Sequence, residues 1–501
     1  MPTIRESLIM YDTAEPKYGW VCQSFFFFCA LSLMGGKCAF GEGEVWLACV
    51  DCYGPASLYP VEARKLFPNK KIKWIHIQTD RPIPAFYRGS FDATKDEYEG
   101  RLVVVDLNDN ATYREIIRTL KQQGVVAAFG GMESGALAAD QINASLDVPF
   151  GNDPSTSRVR REKYPMQQAT PERYRIPSIL TDDVEKIVHF AKTLNASEVV
   201  IKPNKSSGAD FVQVLKNKPE TIRIAAHSLL GQTDKYGHLI NAVVVQPAID
   251  GTEYAANSIA KDGVATLVSV WRYEKLRMGA RKVSFLYRPF DLRSPVAREL
   301  QIAVQDIHTA LLNRNGPGHT ELMQEAGTGK WYFIEQGARI GGRAMPLIDA
   351  QVWGTSHLHL NLVRVLDPVE YDRIIKSFPK KHVNDGAIIS LLSPLNGRLK
   401  EGASEKIGGL PTYFLPAPFY RIVDGKTVSK AIDLSSVAAT VNLVGPTTEV
   451  KQDAETVIRW ATGNQLLEYD PPGGLAEACA FALSKIGNHW RQLGQFKKIL
   501  W

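Results

Sequence analysis

The sequence predicts an α/β protein, α+β when taken as a whole, that begins with a doubly wound parallel sheet. From Glu44 onward, short apolar runs alternate with longer amphipathic ones, and strands that alternate with helices imply a parallel sheet. A chain of 501 residues is too long for one core and predicts about three packed units. With 45% apolar and 22% charged residues, the composition is typical of a soluble globular protein.

The apolar runs and the turn signals predict the elements one by one. In the first part, we expect strands at 45–50, 72–77, 102–105 and 125–129, and helices at 60–66 and 111–123. Beyond a turn-rich segment at 151–157, we expect a helix at 184–194 and strands at 199–202, 211–215, 242–246, 267–271 and 331–335. From about Gly386 the chain is rich in Gly, Pro and short β-prone runs, which predicts a small β-containing appendage with helices near its end.

Charge and cysteine usage limit the function classes. The net charge of +6 is spread along the chain without a dense basic block, which argues against a nucleic-acid partner. Cys49 and Cys52 have the spacing of a metal or redox pair, but no second pair completes a zinc site, so we expect packed core thiols in a reducing compartment, the cytoplasm. The apolar segment at 25–34 is shorter than the ~18–20 residues of a spanning helix, so no membrane function is predicted.

Two segments have features of a nucleotide site. After a strand that ends at Lys202, the small residues Ser206–Gly208 would let backbone N–H groups approach phosphate oxygens, although a plain hairpin loop is the more usual meaning of such a segment. The apolar strand at 243–246 runs into a linker whose backbone can bind the edge of an adenine, and Glu253 can accept both ribose hydroxyls. A strand that ends in a turn explains this second segment equally well.

Two further segments are rich in charge. Glu321 and Glu335 each lie on an apolar strand and offer the hard oxygen ligands that Mg²⁺ requires. Arg339 follows the second glutamate, and charges beside a buried strand need a partner, which favours function over packing. The run at 160–164, with Lys163 in it, opens a helix-like stretch and, as a charge pattern alone, predicts a solvated face.

The order and spacing of these segments resemble those of the ATP-grasp superfamily, and more closely its amino-acid ligases that make dipeptides. The resemblance covers about residues 45–450. It implies an ATP-grasp fold with four parts: an N-terminal extension at 1–43, a pre-ATP-grasp α/β domain at 44–155, a two-lobed nucleotide-binding domain at 156–380 with its lid lobe at about 195–250, and a C-terminal subdomain at 381–501.

The resemblance also implies an activity. It is that of an ATP-dependent carboxylate–amine ligase, which activates an acid as an acyl phosphate and uses ATP together with Mg²⁺ or Mn²⁺, expected as two ions. The implied site residues are Lys163, Lys202, Ser206, Ser207, Gly208, Gln246, Ala248, Ile249 and Glu253 for ATP, Glu321 and Glu335 for metal, Arg339 for catalysis, and Lys275, Gly342 and Arg343 for the substrates.

Two positions depart from the family pattern. Many ATP-grasp enzymes have Asn two residues after the second metal glutamate, where this chain has Gly337. One metal ion would lose a ligand there, and water could replace it. The hinge has Gln246-Pro247 where an acidic residue is usual, and because adenine contacts in the hinge are mostly made by backbone, we expect ATP binding to survive with altered affinity.

Two other functions stay open. One is a nucleotide-binding ATP-grasp-like protein without ligase activity, whose mark would be the loss of a metal carboxylate or of Arg339, and all three are present. The other is an ATP-grasp enzyme of another branch, such as a carboxylase or a D-alanine ligase. The expected partners are small carboxylates and amines, most simply amino acids. The sequence does not identify the pair and leaves a homodimer open.

Overall fold

The computed structural model describes residues 43–104, 110–378 and 384–470, so the apolar segment at 25–34 and the helices expected near the C-terminus lie outside the described residues. The strands are β1 Val45–Val50, β2 Ile72–Thr79, β3 Gly100–Val104, β4 Val125–Gly130, β5 Ile179–Thr181, β6 Glu198–Pro203, β7 Gln213–Lys216, β8 Val243–Pro247, β9 Gly251–Lys261, β10 Val264–Met278, β11 Arg281–Pro289, β12 Gly316–Glu325, β13 Trp331–Gly337, β14 Asp385–Leu391, β15 Gly397–Leu399, β16 Thr427–Val428, β17 Ala439–Gly445 and β18 Leu467–Tyr469.

The α-helices alternate with these strands in the N-terminal half and cluster after β13. They are α1 Tyr59–Leu66, α2 Ala85–Thr94, α3 Asn110–Gln122, α4 Glu133–Leu146, α5 Lys163–Ala169, α6 Val184–Thr193, α7 Pro219–Leu229, α8 Pro295–Ala310, α9 Met345–Trp353, α10 His357–Leu366, α11 Pro368–Lys376, α12 Ala403–Gly408 and α13 Thr447–Thr462. Several begin at side-chain caps: Asp183 accepts from two backbone N–H groups of α6, and Ser294 caps α8 just before Pro295. Among the described helices, none is long and apolar enough to cross a bilayer.

The N-terminal sheet is parallel, with the strand order β3-β2-β1-β4. Apolar side chains of α1 and α10 pack on one face, and those of α3 and α4 pack on the other. Helices on both faces confirm the doubly wound arrangement that the sequence predicts. A side chain at Gly131 or Gly135 would collide with the backbone at the end of β1, so these glycines allow α4 to begin directly against that strand.

The central sheet has seven strands in the order β13-β12-β9-β10-β11-β14-β17, and its six neighbouring strand pairs are all antiparallel. Its main core lies against α8 and α9 and includes Trp271, Phe333 and Ile348. A second sheet, β5-β8-β6-β7, is separate from the central one, and α6 and α7 contribute apolar residues to its core. Three of its strands lie within the range 195–250 predicted as the lid lobe, whereas β5 and α6 precede that range.

The C-terminal region divides between two sheets. Strands β14 and β17 extend the central sheet, whereas β16-β15-β18 form a small sheet of their own that shares a core with α13. The appendage expected from the sequence is therefore only partly separate, because seven-residue strands from this region complete the central sheet.

One local prediction needs correction. The strand expected at 211–215 begins only at Gln213, because Ala209 and Phe211 have left-handed backbone angles (φ 62° and 55°) that end extended structure. Cys49 and Cys52 are buried in the core of the N-terminal sheet, as expected.

Candidate active site

A cavity of about 320 Å³ lies where all these parts meet. Its wall comprises the carboxyl end of the N-terminal sheet, the exposed ends of β12 and β13, the β6–β7 loop and the C-terminal region around β15 and β17. Nine of the predicted site residues line it, namely Lys163, Ser206, Ser207, Gly208, Glu321, Glu335, Arg339, Gly342 and Arg343. The cavity is therefore the candidate active site.

Glu321 and Glu335 lie directly opposite each other on the antiparallel strands β12 and β13. Lys163 Nζ is 3.1 Å from Glu335 Oε2, and His319 Nε2 is 3.6 Å from Glu321 Oε1. Burial acts to raise the pKa of Glu321, but the hydrogen bond and charge of His319 outweigh it, so the pKa lies below its ordinary value and the carboxylate stays ionised. Paired carboxylates at a cavity wall suit a divalent cation.

Glu321 and Glu335 supply only part of the oxygen ligands that Mg²⁺ needs, so a bound substrate would have to supply others. Among the described residues, no group of three or more His, Cys, Asp or Glu side chains could hold a metal ion. Mg²⁺ takes six oxygen ligands and is commonly bound by one or two carboxylates plus substrate phosphates and water. The donor set of Glu321 and Glu335 therefore matches a metal that arrives with a nucleotide.

Lys163 and the Ser206–Gly208 loop form the part of the wall next to Glu335. Lys163 is the first residue of α5 and donates from Nζ to the backbone oxygen of Ser206 (2.6 Å). Helix α5 is fixed beside β13 because Gln167 Nε2 donates to Phe333 O (2.7 Å). The loop turns through a left-handed Gly208 (φ 64°), which leaves backbone N–H groups near the lysine.

The charged run at 160–163 is not the solvated face that its pattern predicts. Arg160 and Lys163 are both buried, and Arg160 Nη2 pairs with Asp140 at 2.8 Å. Asp140 belongs to α4 of the N-terminal sheet, so this ion pair joins α4 to the segment that leads into α5. A linear charge pattern could not reveal the partner, because Asp140 lies 20 residues upstream.

Lys202, Glu253 and Lys275 lie behind the cavity wall and do not line it. Burial lowers the pKa of Lys202 to about 8, an effect that Lys163 reinforces and that Glu335 and Glu321 oppose. Glu253 pairs with Lys275 (Oε2–Nζ 2.5 Å) on the neighbouring strands β9 and β10. Burial raises the pKa of Glu253, and the charges of Glu321 and Glu335 add to that rise while Lys275 opposes it.

The segment predicted to bind adenine is placed differently from the rest. Gln246, Ala248 and Ile249 do not line the cavity. Gln246 lies within β8 opposite Val200, and its Nε2 is buried with no hydrogen-bond partner in the part of the chain that the structure describes. Ala248 N–H donates to Glu198 O (2.9 Å), so the linker backbone is not fully unpaired as the sequence suggested.

Arg339 lies two residues after the end of β13 and points toward the N-terminal sheet. Its Nη2 pairs with the Glu133 carboxylate at the start of α4, and its Nη1 donates to Ile340 O (2.6 Å). Burial would raise the pKa of Glu133, but Arg339 lowers it to about 2. A β-carbon at Gly337 would lie only 3.3 Å from the Arg339 guanidinium, so the glycine that replaces the usual Asn leaves room for this arginine.

The segment Gly341–Arg343 rests on a buried polar network. Gly341 N–H donates to His357 Nε2 (2.5 Å), and a β-carbon at Gly341 would lie 2.9 Å from Asn257 Oδ1. Asn257 Oδ1 in turn accepts a hydrogen bond from His319 Nδ1 (2.7 Å), and the Nε2 atom of the same ring lies 3.6 Å from Glu321 Oε1. The loop that carries Gly342 and Arg343 is therefore connected to the Glu321 carboxylate through side chains of the central sheet.

Several cavity residues were not predicted as site residues. They are Glu133, Tyr87, Lys235, Tyr287 and Tyr420. Glu133 had a usable signal, because it directly follows a parallel strand, and ligands bind at the carboxyl ends of such strands. The other four come from elements whose position at the cavity depends on long-range packing, and nothing in their local sequence marks them.

Comparison with known proteins agrees with this geometry. Residues 195–346 match the family model described as an ATP-grasp domain. The chain is 26% identical over 300 residues to dapdiamide A synthase of Enterobacter agglomerans, an alignment that covers 58% of this chain and 69% of that protein. The matched domain includes the β6–β7 loop, Glu321, Glu335 and Arg339.

Solved structures share the fold at low sequence identity. The L-amino acid ligase from Bacillus licheniformis superposes on 85% of this chain and 99% of its own, with a TM-score of 0.63 and 17% identity. The biotin carboxylase domain of the Hydrogenobacter thermophilus 2-oxoglutarate carboxylase, solved with magnesium ADP and bicarbonate, covers 84% of this chain and 90% of its own (TM-score 0.55, 14% identity). The shared architecture thus extends well beyond residues 195–346.

Proposed function

We propose that this chain, which matches an ATP-grasp domain over residues 195–346, joins a carboxylic acid to an amine through an acyl phosphate, with ATP as the phosphoryl donor. The class of the enzyme, an ATP-dependent ligase that forms a carbon–nitrogen bond, follows from its ATP-grasp domain and from its similarity to a named synthase and a named ligase. The roles of individual residues are our proposal.

One observation carries the proposal: charges suited to each step surround a single cavity. Glu321 and Glu335 face each other across β12 and β13, Lys163 contacts Glu335, and Arg339 lies on the same wall. A protein that only bound a nucleotide would not need Arg339 beside the carboxylate pair. This arrangement supports group transfer from ATP to a second bound molecule.

One end of the cavity is lined by Lys163, the Ser206–Gly208 loop, Glu321 and Glu335. We call it the phosphate end, and it would hold the nucleotide. We assign the triphosphate to Lys163 and the Ser206–Gly208 loop, with Lys202 behind them as a buried source of positive charge. Glu321 and Glu335 would hold Mg²⁺, which we propose as two ions, and when bound it neutralises charge on the phosphate oxygens. Glu253 and the 246–249 segment remain our assignment for the ribose and the adenine.

The reaction that we propose has two steps. A carboxylate oxygen of the acid attacks the γ-phosphorus, the bond to the β-phosphate oxygen breaks, and ADP leaves. The amine nitrogen then attacks the acyl carbon, the bond to the phosphate oxygen breaks, and the proton lost by nitrogen leaves with phosphate or solvent. Arg339 would bind the developing oxyanion and the departing phosphate with its planar fork of donors.

Glu133 would keep Arg339 in position for this role. Their ion pair is buried between α4 and the segment after β13, and it fixes the guanidinium at the cavity wall. Because Arg339 has five N–H donors, it can keep this contact and still bind a ligand oxygen. Glu133 is therefore proposed as a positioning residue.

The lid would protect the acyl phosphate from water. The β6–β7 loop contacts the C-terminal region, where Leu434 N–H donates to Gly208 O (3.4 Å). Lys235, from the same lobe, lies 5.1 Å from the ring centre of Phe86 in the N-terminal part. These contacts support a lid that closes over both neighbouring parts and excludes water during transfer.

The substrates are proposed to be amino acids. The similarity to an L-amino acid ligase and to dapdiamide A synthase supports amino acids on at least one side of the reaction. We place the enzyme in the cytoplasm, where ATP is available, and we retain a homodimer as an expectation that light scattering can check.

A substrate screen tests the proposal. The purified full-length protein is supplied with ATP, Mg²⁺ and amino acids, singly and in all pairs, while phosphate release and amide product are measured together. We expect at least one pair to yield phosphate and amide in equal amounts. Phosphate release without any amide across the panel would point instead to an ATPase or to another ATP-grasp branch.

A further inference from the structure

The cavity holds more positive charge than its own carboxylates balance. Eight arginine and lysine side chains line it, against three glutamates. Arg160, Lys163 and Arg339 have carboxylate partners within 4 Å. The remaining five have no such partner among the described residues. Excess positive charge around a cavity indicates that the bound molecules are anionic.

A triphosphate accounts for part of this excess. Lys235 Nζ lies beside the Ser206–Gly208 loop, only 2.9 Å from where a β-carbon of Gly208 would be. Arg161 lies two residues before Lys163, and its charge acts on Glu133. Lys235 is therefore at the end of the cavity that we assign to ATP, and Arg161 lies near Glu133. Arg343 is at neither place, because it contacts Tyr287 of β11 and Thr440 of β17.

Arg343 is held in one orientation by neutral groups. Its Nε donates to Tyr287 Oη (3.0 Å), its Nη1 donates to Thr440 Oγ1 (3.0 Å), and its guanidinium carbon lies 5.0 Å from the Tyr287 ring centre. Tyr420 Oη donates to the Arg343 backbone oxygen (2.6 Å). Side chains from β11, β17 and the short helix at Pro418–Tyr420 thus converge on a single arginine.

Two features show that this arrangement is costly without a ligand. Arg343 Nη2 is buried and has no hydrogen-bond partner among the described residues. The backbone of Arg343 is left-handed (φ 56°), which is unfavourable for a residue with a β-carbon. Unsatisfied donors and strained backbone persist where a ligand or a mechanism needs them.

We infer that Arg343 binds a carboxylate that the reaction does not consume, so that one of the two substrates has a carboxylate in addition to the one that is activated. The planar guanidinium matches a carboxylate, and Tyr287 and Thr440 pre-orient it without neutralising its charge. The carboxylate can come from two sources: the α-carboxylate of an amino acid that acts as the amine donor, or a second carboxylate on the acid. This inference rests on the proposed function.

The test uses substrate pairs that react in the screen above. In one arm, the amine donor is compared with its α-carboxamide, and in the other, the acid is compared with an analogue whose second carboxylate is a carboxamide. Each is assayed with the wild type, Arg343→Gln and Arg343→Lys, and with Arg298→Gln as a matched control, because Arg298 is exposed on α8 and does not line the cavity.

In one of the two arms, we expect the wild type to have a KM for the carboxamide about 10- to 100-fold higher than for the parent carboxylate, as for a lost charged hydrogen bond. Arg343→Gln should raise the KM of the carboxylate substrate by a similar factor, leave the KM for ATP unchanged and abolish the preference over the carboxamide. Arg343→Lys should recover part of that preference. The arm that shows the effect identifies the source of the carboxylate.

Other outcomes would overturn the inference. If both carboxamides react with the KM of the parent substrates, or if Arg343→Gln lowers kcat equally for all substrates together with Tm, Arg343 only stabilises the fold. If Arg343→Gln does not fold, the wild-type comparison and Arg343→Lys decide. If no pair yields any amide, the proposed function itself fails, a result distinct from amide formation that ignores the second carboxylate.

Discussion

The two ends of the cavity are built in different ways. The phosphate end uses residues on adjacent elements: Glu321 and Glu335 on paired strands, Lys163 at a helix start and the Ser206–Gly208 loop. The substrate end gathers Glu133, Tyr287, Arg343, Tyr420 and Thr440 from parts of the chain up to about 300 residues apart. The first end can be recognised by local spacing, whereas the second depends on how the sheets pack.

The difference also concerns charge balance. At the phosphate end, acidic and basic groups contact each other before any ligand binds, as Lys163 does with Glu335. At the substrate end, Arg343 has only neutral partners and one unsatisfied donor. We interpret the first end as general machinery for phosphoryl transfer and the second as the end that selects substrates. The predictions below separate the two.

The largest effect is expected at the phosphate end. Glu335→Gln should reduce ligation by about 10³-fold or more, because the charge stabilisation that a metal ion supplies is worth several kcal/mol. The protein should stay folded, since Glu335 lies at a partly exposed strand end. Glu325→Gln, at the end of β12 outside the cavity, is the matched control for initial rates of product formation. Equal rates for both variants would remove Glu335 from the metal site.

A somewhat smaller effect is expected at Arg339, where the two ends meet. Arg339→Lys keeps the charge but loses the planar fork, so amide formation should fall about 10²-fold while ATP binding persists. Calorimetry of ATP binding and product assays would be run on the same preparation. An undiminished rate of amide formation would make Arg339 a purely structural partner of Glu133.

The next prediction concerns how tightly the loop at 341–343, beneath the substrate end, is packed. Gly341→Ala would place its β-carbon 2.9 Å from Asn257 Oδ1, whereas Gly342→Ala has no atom within 4 Å. Overpacking a buried site typically costs about 1–3 kcal/mol. We therefore expect a lower Tm for Gly341→Ala and an unchanged Tm for Gly342→Ala. Equal Tm values would show that the loop is not fixed by the network of Asn257 and His357.

The last prediction concerns how stability changes with pH, and it involves Asp349, which supports the same loop. Burial raises the pKa of Asp349 to about 7, against an ordinary value of 3.8, despite hydrogen bonds from Ser269 and Trp271. The folded state therefore keeps a proton that the unfolded chain releases above pH 4, so stability is lost as pH rises from about 4 to 7, by at most about 1.4 kcal/mol per pH unit.

Asp349→Asn imitates the protonated form and should not lose this stability. We expect the Tm of the wild type, relative to that of Asp349→Asn, to fall between pH 5 and pH 7.5. Ser393 is a buried polar residue away from this network, so Ser393→Ala can serve as a control for general pH effects. A constant difference in Tm between wild type and Asp349→Asn would mean that Asp349 is ionised in the folded protein throughout this range.

The contrast between the two ends explains what the sequence could and could not predict. Alternating strands and helices predicted the parallel N-terminal sheet, and nine predicted site residues line one cavity. The burial of Arg160 and the position of Lys275 behind the wall were missed, because each depends on a partner, Asp140 or Glu253, supplied by tertiary packing. The seven-stranded central sheet was also not predictable locally, since two of its strands come from the C-terminal region.

The most direct test of the central claim follows one oxygen atom. With an acid whose carboxylate is labelled with ¹⁸O, together with ATP and the amine, attack of the carboxylate on the γ-phosphorus transfers one carboxylate oxygen to phosphate. The reaction is run with the labelled acid in ordinary water. Mass spectrometry of the products should find one ¹⁸O atom in phosphate for each amide molecule formed. Unlabelled phosphate formed along with the amide would contradict activation of the acid as an acyl phosphate.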